Sequence, residues 1–179
     1  MMNHAKIMLV AVVLAAWWPS QAVAGDGATP QEVIAKVREA AAYLEKHGAD
    51  GLKSFDTADS SYVWKDTYVF VYNCAAGLAD VATPLATATE QKIADNKDAT
   101  GKVIGPAMCK AAERPGGSWI EYLWYKPTRL EGAPQLSHAE ATSRKVSYML
   151  AVKGQPFQVG AGIYNDTATV AELDALLKN

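Results

Sequence analysis

The sequence predicts an α+β domain in which helices lie against an antiparallel sheet. Two observations support this fold class. A strong helix-opening signal stands near the start of the chain, and three strand-like runs follow one another in its second half. Runs of strands, rather than strict alternation of strand and helix, favour an antiparallel arrangement.

Residues 1–24 have the pattern of a secretory signal peptide. Lys6 provides a positive start, an apolar run follows it, and Ala24 completes an Ala-Val-Ala cleavage site. The run is short for a membrane span, although an uncleaved anchor is the alternative. We therefore expect cleavage after Ala24, a periplasmic location, and one domain formed by residues 25–179.

Composition and motifs argue against several functions. Without Lys6 the chain has 16 basic and 19 acidic residues, a net charge of −3, and no basic stripe, so nucleic acid is not an expected partner. His47 and His138 lie far apart without metal-ligand spacing, so we expect no metal and no cofactor. No phosphate loop or nucleophile motif occurs, which disfavours an enzyme.

The first helix has clear signals at both ends. Thr29 can cap it, Pro30 suits the first helical position, and Glu32 can complete a capping box. Lys46 and His47 before a glycine predict its end, and a short second helix follows to Phe55.

The clearest strand is Asp66 to Cys74, DTYVFVYNC. Its alternation places three aromatic residues on one face and two valines on the other: Tyr68, Phe70 and Tyr72, then Val69 and Val71. The aliphatic face suits packing against the first helix. The aromatic face suits either a core or the wall of a pocket.

A second strand, GGSWIEYLWYKP from Gly116 to Pro127, is apolar on both faces, so we expect covers on both sides, with the first helix as one of them. The other predicted elements are a hairpin strand in Ala75–Thr83, a short helix and loop in Pro84–Asp98, a helix around Val103–Ala112, a long loop over Thr128–Thr142, strands over Ser143–Val152 and Phe157–Tyr164, and a last helix capped by Asp166 or Thr167.

Three features carry candidate chemistry. Cys74 and Cys109 form an even pair in an oxidising compartment, which favours a disulfide. Lys145 and Ser147 share one strand face, where the lysine lies either at a solvated strand end or in a polar cavity suited to a carboxylate. Gly160 and Gly162 leave a strand face bare, which marks close approach of another group, a bulge, or room for a ligand.

The motifs DTYVFVYN, DATGKVIG, GGSWIEYLWYKP, RKVSYM and FQVGAGIY, in this order, resemble the single Cache domain of type 2. The resemblance runs from the first helix to Tyr164. It implies an extracytoplasmic small-molecule sensor with a PAS- or profilin-like fold, in which a long N-terminal helix packs against a curved antiparallel sheet.

The resemblance also implies ligand-binding residues between the sheet and its loops: Tyr68, Phe70, Tyr122, Trp124, Lys145 and Ser147. Tyr122 and Trp124 would be walls, and Lys145 the anchor for a carboxylate or polar group. The sequence departs from the family pattern at Asn73, at Ala82-Thr83-Pro84 and at Trp124-Tyr125, which affects the identity of the ligand.

These expectations lead to a periplasmic sensor-type domain that binds a small organic acid or amino acid. Because no output module is visible, a signal would pass through a separate membrane receptor, kinase or transporter, as in chemotaxis and other signal transduction. The alternatives are a structural or interaction protein whose pocket is filled by side chains and, less favoured, a periplasmic enzyme.

Overall fold

A computed structural model describes residues 26–86 and 90–178. The signal peptide prediction lies outside the described residues. The helices are α1 (Pro30–His47), α2 (Gly105–Ala112) and α3 (Val170–Ala175), with 3₁₀ helices at Gly48–Phe55, Ile93–Asp95 and Leu176–Lys178. The strands are β1 (Val63–Trp64), β2 (Thr67–Tyr68), β3 (Phe70–Asn73), β4 (Leu78–Ala82), β5 (Gln91–Lys92), β6 (Ser118–Thr128), β7 (Ser137–Ala151) and β8 (Gln158–Tyr164).

Helix α1 has the predicted ends. The Thr29 side chain accepts a hydrogen bond from the Glu32 backbone, and the Glu32 side chain accepts one from the Thr29 backbone, which completes the capping box. The helix ends at His47, where Gly48 takes a φ of 55°, a conformation that glycine adopts without strain. The predicted short second helix is the 3₁₀ helix that follows.

Six antiparallel strands form the main sheet, in the order β5-β4-β3-β8-β7-β6. Helix α1 lies across β7 and β8 on one face. Alternation along each strand then divides the core into two layers. On β3 and β7, Val71, Val146 and Tyr148 belong to the layer under α1, whereas Phe70 and Met149 belong to the layer on the opposite face.

The predicted long loop over Thr128–Thr142 is wrong in its second half. Strand β7 begins at Ser137, and Tyr125 on β6 pairs with Thr142 on β7. Strand β8 pairs with β7 only as far as Lys145, so residues 137–144 of β7 pair with β6 alone and extend past the rest of the sheet. These residues are small or polar, as expected for a segment with one neighbouring strand. The backbone pairing with β6 forms a strand here, although the sequence lacks the alternation of apolar and polar residues that predicts one.

Strand β6 is less covered than the sequence predicted. It is an edge strand of the sheet, and Leu123 is 37% exposed. Helices α2 and α3 lie against it, and of the predicted cover by α1 the strand retains Trp119, which belongs to the core layer under that helix. The Asp174 side chain on α3 accepts hydrogen bonds from the Trp119 backbone at 2.9 Å and from the Ser118 hydroxyl at 3.0 Å, which fixes the helix to the strand.

The predicted caps of the last helix are also wrong. Thr169 caps α3 and forms a capping box with Glu172. Asn165 takes the backbone N–H groups of Thr167 and Ala168 instead, at 2.9 and 2.7 Å, so a turn precedes the helix. In the stretch before α2, the expected short helix is the 3₁₀ helix at Ile93–Asp95, and a short strand, β5, precedes it.

The predicted disulfide is confirmed. Cys74 and Cys109 are bonded, with their Cα atoms 5.9 Å apart. The bond joins the end of β3 to helix α2, which packs over the face of the sheet opposite α1. It therefore links two walls of the second core layer covalently.

Replacing both cysteines by serine should lower the free energy of unfolding by up to about 4 kcal/mol, because the bond closes a loop of 35 residues in the unfolded chain. Urea unfolding of the oxidised protein and of the Cys74→Ser/Cys109→Ser variant measures the difference. Wild type in excess reductant should unfold like the variant. Equal urea midpoints for the oxidised wild type and the variant would contradict a stabilising role.

Candidate functional site

A row of three aromatic rings forms the floor of a cavity on the sheet face opposite α1. Tyr68, Phe70 and Tyr72 alternate along β2 and β3, so all three point away from the helix. The ring centroids of Tyr68 and Phe70 are 6.4 Å apart, and those of Phe70 and Tyr72 are 5.6 Å apart. The prediction of an aromatic face is confirmed, and this face is both core and pocket wall.

Strand β6 supplies a second wall through Tyr122 and Trp124. Their rings meet edge to face with centroids 5.9 Å apart, and the Trp124 indole N–H donates to the Tyr68 hydroxyl at 3.1 Å. The Tyr122 hydroxyl and the Ser147 hydroxyl share a hydrogen bond of 2.9 Å. Ser147 therefore holds Tyr122 from behind and is not itself among the residues that line the cavity.

Lys145 is the unusual residue of the site. Its side chain is 0% exposed, and its Nζ lies 4.2 Å from the ring centroid of Tyr68, 5.5 Å from that of Phe70 and 5.3 Å from that of Tyr164. Within the described part of the chain, Nζ has no hydrogen-bond partner. Cation–π contacts compensate only partly for the lost water. Of the two locations that the sequence left open, the structure shows the buried one.

Burial lowers the pKa of the Lys145 ammonium to about 7, although the negative charges of Asp80 and Asp66 act in the opposite direction. The lysine is therefore poised between its neutral and charged forms near neutral pH. An anion that entered the cavity would favour the charged form and would supply the acceptor that Nζ lacks.

Asp80 brings an acid into the cavity wall. Strand β4 is bulged opposite Tyr72, because Val71 pairs with Ala82 and Asn73 pairs with Leu78. At this bulge Asp80 takes a φ of 52°, and its half-buried side chain reaches the cavity. Burial raises its pKa to about 6, while hydrogen bonding from Gln91 and the charge of Lys145 limit the rise.

A short polar chain ties this acid to the aromatic row. Asp80 Oδ2 accepts hydrogen bonds from the side-chain amides of Gln91 at 3.2 Å and Asn96 at 3.4 Å. Asn96 in turn accepts a hydrogen bond of 3.0 Å from the Tyr72 hydroxyl. Asp80 is thus held near the Tyr72 end of the row, whereas Lys145 lies over the Tyr68 end.

The cavity between these walls has a volume of about 20 Å³, which corresponds to about one or two water molecules. Helix α2 and the segment after β4 close it from above. The lining residues are Tyr68, Phe70, Tyr72, Asp80, Leu85, Ile104, Met108, Tyr122 and Trp124.

The two glycines of β8 mark close approach, one of the three readings that the sequence allowed. A Cβ on Gly160 would lie 2.6 Å from the Phe70 ring, and one on Gly162 would clash with the Ser147 hydroxyl. Bare backbone at these positions lets Phe70 and Ser147 pack directly on the strand. The glycines therefore set the depth of the aromatic row.

The structure brings the predicted site residues into one place. Tyr68, Phe70, Tyr122 and Trp124 line the cavity, Lys145 contacts the Tyr68 ring outside the lining, and Ser147 supports the wall. Their roles toward a ligand stay predictions. Lining residues outside the predicted set are Tyr72, Asp80, Leu85, Ile104 and Met108.

Tyr72 lies on the same strand face as Tyr68 and Phe70, so the alternation of β3 could have placed it among the predicted site residues. Met108 has the helical spacing of α2, which indicates burial and not a cavity. Nothing in the sequence marks Asp80, because a bulge with a positive φ has no pattern that can be read locally.

Residues 26–86 and 90–178 contain neither a candidate metal site nor a candidate membrane-spanning helix. No three His, Cys, Asp or Glu side chains come together there in a way that could hold a metal ion. No helix in these ranges has the length and apolar character needed to cross a membrane.

A helix on one face of an antiparallel sheet and an aromatic cavity on the other are the architecture of Cache and PAS-type domains. The chain belongs to the Single Cache domain 2 family, whose pattern it matches over residues 3–168. Domains of this family are extracytoplasmic sensors that bind small molecules and occur in membrane chemoreceptors. A comparison with curated protein sequences finds no match.

Solved structures share the fold at low sequence identity. A methyl-accepting chemotaxis protein from Vibrio parahaemolyticus RIMD 2210633 aligns with a TM-score of 0.57 and 16% identity, over 76% of this chain and 88% of that chain. A Cache chemosensory domain, solved to explain its carboxylic acid recognition, aligns with a TM-score of 0.50 and 19% identity, over 76% of this chain and 92% of that one.

Replacing Lys145 by methionine should stabilise the protein by about 3 kcal/mol at pH 7 and by much less at pH 10. The folded-state pKa lies below the unfolded value, so the unfolded chain binds more protons between about pH 7 and pH 10.5. The stability of the wild type therefore rises with pH across this window, and the advantage of the variant shrinks. Urea unfolding at both pH values measures it.

The exposed Lys110 on α2 provides a matched control. Lys110→Met should change the free energy of unfolding by the same small amount at pH 7 and pH 10. A Lys145→Met variant that is destabilised equally at both pH values would show that the buried ammonium is not strained.

Proposed function

We propose that this protein is a periplasmic sensor-type domain that binds a small organic acid or amino acid and acts through a separate partner. The observation that carries the proposal is the fully buried Lys145, whose Nζ has no hydrogen-bond acceptor among the described residues. A buried ammonium without an acceptor lowers stability, so its retention needs a reason. A ligand carboxylate would supply the missing acceptor.

The other predicted residues would serve this anchor. The rings of Tyr68, Phe70, Tyr122 and Trp124 would enclose the apolar part of a short ligand, and the Tyr122–Ser147 hydrogen bond would fix one wall. The proposal assigns binding roles alone to these residues. The similar Cache chemosensory domain recognises carboxylic acids, which agrees with the class of ligand proposed here.

Location and output complete the proposal. The signal peptide would be cleaved after Ala24, which would release the domain into the periplasm. A ligand-dependent signal would pass to a membrane receptor, kinase or transporter, as in chemotaxis, where the similar Vibrio protein acts.

A second candidate is a structural or interaction protein with a filled pocket. The cavity volume of about 20 Å³ favours it, because a two- or three-carbon acid needs more room than one or two water molecules. Ligand binding therefore requires the walls to move apart, and a protein that stays closed to every small molecule would support this alternative.

Thermal unfolding with a panel of two- to four-carbon carboxylates and amino acids tests the proposal. A ligand at 100 times its dissociation constant should stabilise the protein by about 2.7 kcal/mol, which raises the melting temperature by roughly 5–10 °C. Lys145→Met should abolish this rise, since it removes the anchor. Native mass spectrometry of the protein from its host would reveal a retained compound.

Lys110→Met is again the matched control and should keep the full ligand-induced rise. A rise that survives in Lys145→Met would remove Lys145 from the site. A panel without any effect on the wild type, together with no retained compound, would favour the filled-pocket alternative.

A further inference from the structure

Opposite charges lie at the two ends of the aromatic row that forms the cavity floor. The Lys145 ammonium lies over Tyr68, 4.2 Å from the ring centroid. Asp80 lies beyond Tyr72. Asn96 connects the two, because it accepts a hydrogen bond from the Tyr72 hydroxyl and donates one to Asp80. Each group shifts the pKa of the other toward its charged form, so the two charges interact across the row.

The two oxygens of the Asp80 carboxylate differ in their contacts with the described residues. Oδ2 accepts hydrogen bonds from Gln91 and Asn96, whereas Oδ1 accepts none within the described residues. The bulge and the positive φ turn this side chain toward the cavity, although a regular strand would have directed it elsewhere. A positive φ at a residue other than glycine costs stability, and such conformations often occur at ligand sites, which supports a role for this acid toward a ligand.

A simple carboxylate fits only one end of this cavity. Its charge would satisfy Lys145 but would leave Asp80 facing an apolar tail or, in a dicarboxylate, a second negative charge. With a pKa of about 6, Asp80 is mostly ionised at pH 7.5, so a positively charged ligand group beside it would be stabilised. The adjacent face of Tyr72 also suits a cation.

We propose that the site is specific for an amino acid, whose carboxylate binds Lys145 and whose ammonium binds Asp80. This inference rests on the proposed function and narrows its class of ligand. Asp80 is then the residue that determines specificity, because it distinguishes an ammonium from a methyl group of similar size at the same position.

Isosteric ligand pairs test the inference directly. Glycine and propionate, alanine and isobutyrate, and β-alanine and butyrate differ within each pair by an ammonium in place of a methyl group. Isothermal titration calorimetry at pH 7.5 should give at least about tenfold tighter binding for the amino acid in one or more pairs, as expected for a charge-assisted hydrogen bond.

The Asp80→Asn variant tests whether Asp80 causes the preference for an amino acid over its methyl isostere. Asparagine tolerates a positive φ and can keep the bonds to Gln91 and Asn96, so the fold should be retained. The variant should lose at least about tenfold in affinity for the preferred amino acid and should bind its methyl isostere as well as the wild type does, or better. Its circular dichroism spectrum and melting curve check the fold.

The outcomes separate this inference from the proposed function. If the alkyl acids bind as tightly as their amino acid isosteres, or if Asp80→Asn keeps the amino acid preference, the specificity proposal is wrong while the carboxylate site stands. If no compound of the three pairs or of the twenty common amino acids binds the wild type, the specificity proposal is overturned together with the binding of amino acids.

Discussion

The burial of one ammonium group within the sheet is the constraint on which the rest of this structure depends. Lys145 lies on β7, between the β6 and β8 strands, and its side chain emerges on the face opposite α1. A charged group there needs either water or polarisable neighbours. The rings of Tyr68, Phe70 and Tyr164 fill that role in part, and their positions follow from the parity of β2, β3 and β8.

Much of this arrangement can be predicted from alternation alone. The stretch DTYVFVYN separates aromatic from aliphatic residues, so a helix on the valine face leaves the rings to form the other layer. The same parity places Lys145 with Ser147. Helix α1 could be predicted residue by residue, because Thr29, Pro30 and Glu32 are local signals for a local structure.

Features that depend on pairing partners could not be predicted. Strand β7 extends to Ser137 because β6 pairs with it, and no residue between 137 and 142 announces this. Asp80 reaches the cavity through a bulge, whose position depends on the register between β3 and β4. The volume of the cavity could not be predicted either. It is the small difference between the space that the backbone encloses and the volume of the side chains that fill this space.

The two layers of the domain share their strands, which determines how they can influence each other. Lys145 faces the cavity and its neighbour Val146, 0% exposed, faces α1. Because protein interiors are close-packed, β7 cannot move to widen the cavity without displacing side chains under the helix. The disulfide restrains the other wall, since it ties α2 to the end of β3. Lys145 and Val146 are adjacent residues of β7 on opposite faces, so this strand connects the aromatic cavity directly to the side chains that pack under α1.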